Sequence, residues 1–423
     1  RAAGGNVPGA SGAQGEELMS DADLLFEYAG EVLAFDFKRP GALPAVAVPP
    51  PDPASTARQA ARCLAAFERS GRERLALLGL GSGAVAEVLA GELPEGRLLV
   101  CEQDLALARR LMAAGRLGWW RTGGPARLVL DASPWAVLLL LDRAGYDLDD
   151  LFVLPNPELT PKGKAGLKSL ELLLMRSRLL AQPANVSVPR LSAAAILSPS
   201  EPDLPGFFAQ FPDWLHELVL VWDAPSLPAV PVPEHFNVWQ TARPLGNDFS
   251  AQRNAMLSAC SGDWVLYLDA DERLSAEGWA ALPLLCADRV VGGWHFPRVT
   301  PYPTADRALT GFGLWPDIQL RLFRRSSGLR FENPVHERLS GLPGPQALVL
   351  DVEIEHLNRL NRNEETIRRK LAGFDAAGGG RVRHALSAEY PSVPRDFLSS
   401  SRAVLPRGLL LPPDKAGQGL DRP

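Results

Sequence analysis

Asp269-Ala270-Asp271-Glu272 stands at the end of Trp264-Val-Leu-Tyr-Leu268, a run apolar on both faces and so read as a central strand of a buried sheet. Two carboxylates separated by a small residue can hold a hard divalent cation, directly or through water. Such a cation bridges diphosphate oxygens and acts as a Lewis acid toward a leaving group. Strand ends of open α/β sheets are where ligands bind. The same acids also suit a solvated turn, or a cap for a helix starting near Ser275. An EF-hand loop is excluded, because Arg273 and Leu274 stand where an oxygen ligand and a glycine are needed. A phosphatase with an aspartate nucleophile usually carries Thr or Val where Arg273 stands, so that reading falls behind.

The segment before this strand, residues 247–260, reads as a helix whose Phe249, Met256 and Cys260 share one face. Arg253 lies on that face, and a charge there needs a partner. It either forms a structural salt bridge, or orients the Asp269 carboxylate and touches a ligand; the pattern leaves both open. A second cluster lies upstream. Gly79, Gly81 and Gly83 follow a buried strand, and Glu102 ends the next strand. Such glycines permit a tight turn and close approach of a ligand at a helix N-terminus, and the acid suits ribose hydroxyls. The turn serves plain strand–helix packing equally well. Asp131, after a further strand, is either a third member or a helix cap.

The elements that must position these groups form two strand–helix series. The first has strands at 75–78, 97–101, 127–130 and 151–154, with helices at 55–69 (capped by Ser55), 84–89 and 136–141, and one long helix over 163–182. The second has strands at 191–197, 217–222, 236–241 and 264–268, with helices at 203–214 and 247–260. Alternation of this kind favours mostly parallel sheets. The expected organisation is disorder over 1–20, a first domain over 21–182, a linker over 183–190 and a second domain over 191–359. A helical or irregular extension over 360–403 and a disordered Pro/Gly-rich tail over 404–423 follow.

The 423 residues suit two domains, and 46% hydrophobic with 22% charged residues describe a soluble globular chain. The net charge of −5 is spread without a basic stripe, which argues against nucleic acid. No apolar run is long enough to span a bilayer. Cys63, Cys101, Cys260 and Cys286 form no metal or disulfide spacing, and a cytoplasmic setting is expected.

Three stretches in order carry a family resemblance. They are 247–272 with Arg253 and Asp269-Ala-Asp271, then 316–325 (Pro-Asp-Ile-Gln-Leu-Arg-Leu-Phe-Arg-Arg) with 330–337 (Arg-Phe-Glu-Asn-Pro-Val-His-Glu), and 352–356 ending in His356. Together they resemble family 2 glycosyltransferases of the GT-A fold, in the subgroup of lipopolysaccharide-core glucosyltransferase-like proteins and peptide S-glycosyltransferases. The resemblance covers about residues 191–359. It implies a GT-A domain with a mostly parallel central sheet, so that the expected fold is an α/β chain in which the first strand–helix series, a Rossmann-like N-terminal domain, precedes it. It also implies an inverting, metal-dependent sugar transfer from a nucleoside-diphosphate sugar to a glycan, lipopolysaccharide-core or protein acceptor.

By the same resemblance Mg²⁺ or Mn²⁺ is held by Asp269, Asp271 and His356. The donor is contacted by Asp223, Arg253, Asp269 and Arg321. Asp317 is the first choice for the catalytic base and Glu337 the second, with His336 placing the acceptor or a phosphate. Arg324 and Arg325 either join Arg321 against the diphosphate or form a solvated face. Two stretches depart from the family: Ser198-Pro-Ser-Glu201 replaces a Lys-Asn-Glu-Glu-like segment, and Asp223-Ala-Pro-Ser226 replaces a Gly/Ser/Thr donor loop. Residues 78–102 resemble the Rossmann-like domain of motility accessory factor proteins, which are linked to flagellin glycosylation. The rival readings are an S-adenosylmethionine methyltransferase built on the first domain and a degenerate glycosyltransferase acting as a binding scaffold.

Overall fold

The computed structural model describes residues 21–35, 51–246, 248–334, 337–360, 390–399 and 405–413. The expectations for 1–20, for Asn247 and His336, and for most of 360–403 lie outside these residues.

The first half of the chain is an α/β unit. Helix α1 (Asp21–Ala34) buries Leu25, Tyr28, Ala29, Val32 and Leu33, the spacing of one helical face. Helix α2 (Pro53–Ser70) is capped by Asp52, not Ser55: the Asp52 carboxylate accepts from the Ala54 amide and Pro53 opens the helix. There follow β1 (Arg74–Leu78), α3 (Ala84–Glu92), β2 (Leu98–Glu102), α4 (Leu105–Ala113), β3 (Ala126–Leu130), α5 (Pro134–Arg143) and β4 (Leu151–Pro155). The four strands are parallel in the order β3-β2-β1-β4. The order reverses at β1, which makes the space beyond the ends of β1 and β4 a topological switch point.

The long helix expected over 163–182 is instead α6 (Pro161–Gly166) and α7 (Lys168–Arg176), broken at Leu167. Gly163 and Gly166 weaken the first piece, and Ser177 turns to an extended conformation that leads into β5 (Arg178–Leu179).

The second half builds an eleven-stranded mixed sheet. In chain order it holds β6 (Leu191–Leu197), α8 (Leu204–Ala209), β7 (Glu217–Trp222), β8 (Val238–Ala242), α9 (Phe249–Ala259), β9 (Trp264–Tyr267), β10 (Glu272–Leu274), α10 (Ala276–Ala287) and β11 (Gly293–Val299). After these come β12 (Arg307–Leu309), β13 (Asp317–Arg324), β14 (Arg330–Glu332), β15 (Arg338–Ser340), β16 (Gln346–Val349), β17 (Ile354–His356), β18 (Ser392–Pro394) and β19 (Gly408–Leu410). The main path is β5-β19-β16-β11-β13-β9-β6-β7-β8, with β17 bridging β11 and β10. Every strand except β10, β13 and β19 runs in one direction. Strands β6 and β7 are buried nearly throughout, as apolar runs covered on both faces must be. β12 pairs with β18 and β14 with β15 in two small antiparallel sheets.

Helix α8 is shorter than the 203–214 expected, because Pro212 disfavours helical backbone at Phe211. The tail expected to be disordered from 404 contains β19, whose Gly408-Leu-Leu410 pairs with β16 and β5. Gly408 is required there, since a Cβ would lie 2.7 Å from the Trp294 ring.

The two halves share one core. Leu138 and Leu141 of α5 belong to the same buried cluster as Val299, Trp315, Ile318, Leu350 and Leu409. Buried Arg143 donates to the Leu398 carbonyl at 2.6 Å and to Glu353 at 3.3 Å. Arg407 links Asp142 (2.8 Å) to Asp351 (2.7 Å). No helix among the described residues is long and apolar enough to cross a membrane.

Candidate active site

Strand β9 carries Asp269 past its last paired residue, and a tight turn brings Glu272 back under it. The Asp269 amide donates to Glu272 Oε2 at 3.0 Å, and the Glu272 amide donates to the Asp269 carbonyl at 2.9 Å. β10 then pairs antiparallel with β17, setting Glu272 opposite His356. The Leu357 amide donates to the Asp271 carbonyl at 2.8 Å. This pairing places His356 Nε2 3.7 Å from Asp271 Oδ1.

Three arginines converge on this turn. Arg321 of β13 donates to Asp269 Oδ2 at 2.8 Å and to both Glu272 oxygens at 2.7 and 2.9 Å. Arg298 of β11 donates to Glu272 Oε1 at 2.7 Å. Arg253 of α9 donates to Asp269 Oδ1 at 3.2 Å and to Glu337 Oε1 at 2.5 Å. The Tyr267 ring packs against both Arg253 and Arg321, at 4.7 and 4.5 Å from their guanidinium carbons. Glu272 is fully buried, while the Asp269 side chain keeps 36% of its surface open.

Burial pushes the Asp269 carboxyl up, but Arg321, Arg253 and Arg298 together hold it well below the ordinary carboxylate range. Burial opposes the Arg321 charge, yet Glu272 and Asp269 keep its pKa well above the usual value. Burial and then Arg298 lower the His356 imidazole well below its ordinary pKa, so it is neutral near pH 7.

Asp317 opens β13 opposite Arg298. Its Oδ2 accepts from Arg298 Nε at 3.0 Å and also from Arg298 Nη2, and its Oδ1 accepts from Gln319 at 2.8 Å. Among the described residues Glu337 accepts at Oε1, from Arg253. Both carboxylates are thus one guanidinium away from the Asp269 turn. His336 lies outside the described residues.

Asp223 ends β7, two strands across the sheet from β9. Its Oδ1 accepts from the Leu245 amide at 2.8 Å, which ties the β7 and β8 ends together. It does not touch the arginine network among the described residues. Arg324 and Arg325 are separated from Arg321: they bond the Asp288 carbonyl (2.7 Å) and the Gly262 carbonyl (2.6 Å) near the start of β9, away from the acidic turn. Only Arg321 of the three faces the site.

Two members of the network have no role in the motif reading. Glu272 was legible as a third strand-end acid. Arg298 was legible only as a lone charge inside the apolar strand Gly293–Val299, the kind of residue whose burial demands an acid nearby.

The glycine turn is built as expected, with Gly79, Gly81 and Gly83 all at positive φ (90°, 60° and 85°). Its carboxylate is not offered to a ligand. Glu102 is 3% exposed and accepts from the Leu80, Gln103 and Asp104 amides at 2.7–2.8 Å. The turn itself is filled by Glu158, which accepts from the Ser82 amide at 3.2 Å and the Ser82 hydroxyl at 2.6 Å. A Cβ at Gly81 would lie 2.6 Å from Glu158 Oε2. The acid meant for ribose hydroxyls is therefore spent on backbone amides.

Among the described residues no group of three or more His, Cys, Asp or Glu side chains is arranged to hold a metal ion. A smaller set does fit one. At 3.7 Å, His356 Nε2 and Asp271 Oδ1 are too far apart for a hydrogen bond, and suited to two ligands of one cation at about 2.0–2.2 Å each. Both oxygens of Asp269 already accept from arginines, which leaves it their second lone pairs.

No family model matches the chain. A TPR repeat-containing protein of Synechococcus elongatus is 39% identical over 92 residues, or 22% of this chain. The match spans 21% of that relative's length. Solved structures similar to part of the chain include a mannosyltransferase of Pyrobaculum calidifontis in complex with GDP-Man and Mn²⁺. It is 14% identical, over 28% of this chain and 39% of that one, with a TM-score of 0.22. Residues 1–349 of S. aureus TarS are 15% identical over 32% of this chain and 47% of that one, with a TM-score of 0.23.

Proposed function

We propose that the chain transfers a sugar from a nucleoside diphosphate to a hydroxyl or other nucleophile of an acceptor, with inversion. The reading rests above all on Asp269. It is a partly open carboxylate at the end of a central strand, oriented by Arg253 and Arg321 and followed by the Asp271–His356 pair. The three ordered motif stretches of residues 247–356 agree with it.

In this reading Asp271 and His356, with help from Asp269, would hold Mg²⁺ or Mn²⁺. The cation, when bound, supplies Lewis-acid stabilisation of the departing diphosphate. Arg321 and Arg253 add fixed positive charge beside it. Asp223, just past β7 at the same edge of the sheet, would contact base or ribose. The acceptor nucleophile forms its bond to the anomeric carbon as the carbon–diphosphate oxygen bond breaks on the opposite face, and its proton passes to a carboxylate.

We assign that carboxylate to Glu337 ahead of Asp317. Both Asp317 oxygens are engaged by Arg298 and Gln319, whereas among the described residues one Glu337 oxygen, Oε1, accepts a bond, from Arg253. Asp317 would then anchor Arg298 and through it Glu272. The acceptor class, glycan or protein, and a cytoplasmic setting belong to the same proposal, as does the division into units over 21–182 and 191–359. A thermal-shift screen of nucleoside diphosphates and their sugars, each with and without Mn²⁺, tests it. A rise in melting temperature with a diphosphate supports the reading, and no rise with any of them removes it.

A further inference from the structure

The strand ends of the N-terminal sheet form the edge where an α/β unit binds its ligand. Here each of the first three is occupied from within. Glu158 fills the turn after β1, and Glu102 at the end of β2 accepts from the Leu80, Gln103 and Asp104 amides. Asp131, after β3, is fully buried; its Oδ1 accepts from the Ser133 amide and its Oδ2 from the Tyr28 hydroxyl, each at 2.7 Å.

The Tyr28 oxygen in turn accepts from the Gly311 amide at 3.3 Å. Gly311 belongs to the second half of the chain, in the loop that runs directly into Asp317. Around this contact the loop is gripped on several sides. Trp315 is fully buried with its ring 6.1 Å from Tyr28. The Arg109 guanidinium lies 5.8 Å from the Phe312 ring while donating to the Val32 and Leu33 carbonyls of α1. Gly311, at φ +68°, approaches α1 so closely that a Cβ would lie 3.1 Å from Val32 Cγ2.

We propose that Tyr28 is a positioning residue for the candidate site. Its hydroxyl, held by Asp131, ties loop 310–316 and hence Asp317 to the strand ends of the N-terminal sheet, which serve as an internal dock in place of a ligand crevice. The consequence runs from Asp131 through Tyr28 to Gly311, along the loop backbone to Asp317, and then by hydrogen bonds to Arg298 and Glu272 beneath Asp269. Tyr28 touches no reacting group; it acts through the loop. That its effect reaches chemistry rests on the glycosyltransferase reading, but the docking itself does not.

Amide hydrogen exchange of the full chain, followed by mass spectrometry, separates the two. Tyr28→Phe keeps the ring and removes the hydroxyl. Exchange over 310–316 is expected to rise about fivefold or more, as loss of one buried hydrogen bond implies, while peptides of β6 and β7 stay unchanged. Unchanged exchange over 310–316 overturns the dock. Should Tyr28→Phe fail to fold, Gly311→Ala probes the same contact from the loop side and is expected to loosen the same segment.

Where sugar transfer is measurable, Tyr28→Phe lowers kcat by about fivefold with the donor KM within twofold, because a displaced loop misplaces groups without removing a donor contact. Loosened exchange with an unaltered kcat keeps the dock and overturns the positioning role. Titration with S-adenosylmethionine and with NAD gives the opposing result directly. Saturable binding that is lost in Gly81→Ala would mean that the strand ends are a ligand site after all.

Discussion

Arg298 joins Glu272 to Asp317: one guanidinium donates at 2.7 Å to a carboxylate with no exposed surface and at 3.0 Å to the first residue of the neighbouring strand. The acidic turn after β9 is therefore not a free-standing motif. It rests on a charge network spanning β9, β10, β11 and β13.

Replacing Arg298 by Met takes one of two guanidinium partners from Glu272, which keeps Arg321, and removes the guanidinium that faces Asp317. Removing one partner of a buried pair costs about 3–5 kcal/mol, so the midpoint of urea unfolding is expected to fall sharply. Arg298→Lys recovers only part of this, since one ammonium cannot repeat the forked contacts to both acids. A midpoint equal to wild type in Arg298→Met would show that the network carries no stability.

Glu337 and Asp317 predict different kinetic losses. Glu337→Gln lowers kcat by about 10²–10⁴-fold, the usual contribution of a general base, while nucleoside diphosphate affinity is kept. Asp317→Asn keeps its shape and removes the negative charge facing Arg298, which keeps Glu272, giving a smaller kcat loss together with reduced stability. Steady-state kinetics beside a binding titration distinguishes them. A larger kcat loss in Asp317→Asn returns the base to Asp317.

Asp131 predicts a pH dependence of stability. Burial raises its folded pKa to about 7 from an ordinary value near 4, despite the bonds from Ser133 and Tyr28. Between those values the folded chain holds a proton that the unfolded chain has released. Its contribution is complete below the unfolded pKa and is lost as pH rises through about 7. The melting temperature of wild type relative to Asp131→Asn should therefore decline from pH 5 to pH 8. Parallel curves would contradict the assignment.

Much of this site was legible in the chain. The apolar run 264–268 identified a central strand, and Arg253 on the apolar face of its preceding helix implied an acidic partner, which is Asp269 together with Glu337. Asp248 caps that helix through its bond from the Ala251 amide, as an Asp just before an apolar-periodic run should. What could not be read is non-local. Nothing in residues 317–324 announces that β13 inserts antiparallel between β9 and β11, since side-chain alternation is the same in either direction. Nothing in Gly408-Leu-Leu410 names β16 as its partner. A glycine turn accommodates an internal carboxylate and a phosphate by the same amides, so Glu158 was invisible until the β4–α6 loop could be placed.

On the proposed function, the Asp269 turn and the Asp271–His356 pair bind a nucleoside diphosphate with a divalent cation. Isothermal titration of the full chain with UDP and with GDP, each with and without Mn²⁺, measures this directly, using wild type and Asp271→Ala/His356→Ala. Saturable binding of at least one diphosphate to wild type, tightened by Mn²⁺, is expected. In the double variant the Mn²⁺ effect should vanish and the affinity drop about tenfold or more, as loss of two ligand groups implies. Equal, Mn²⁺-responsive binding by both proteins, or no binding by wild type, would contradict it.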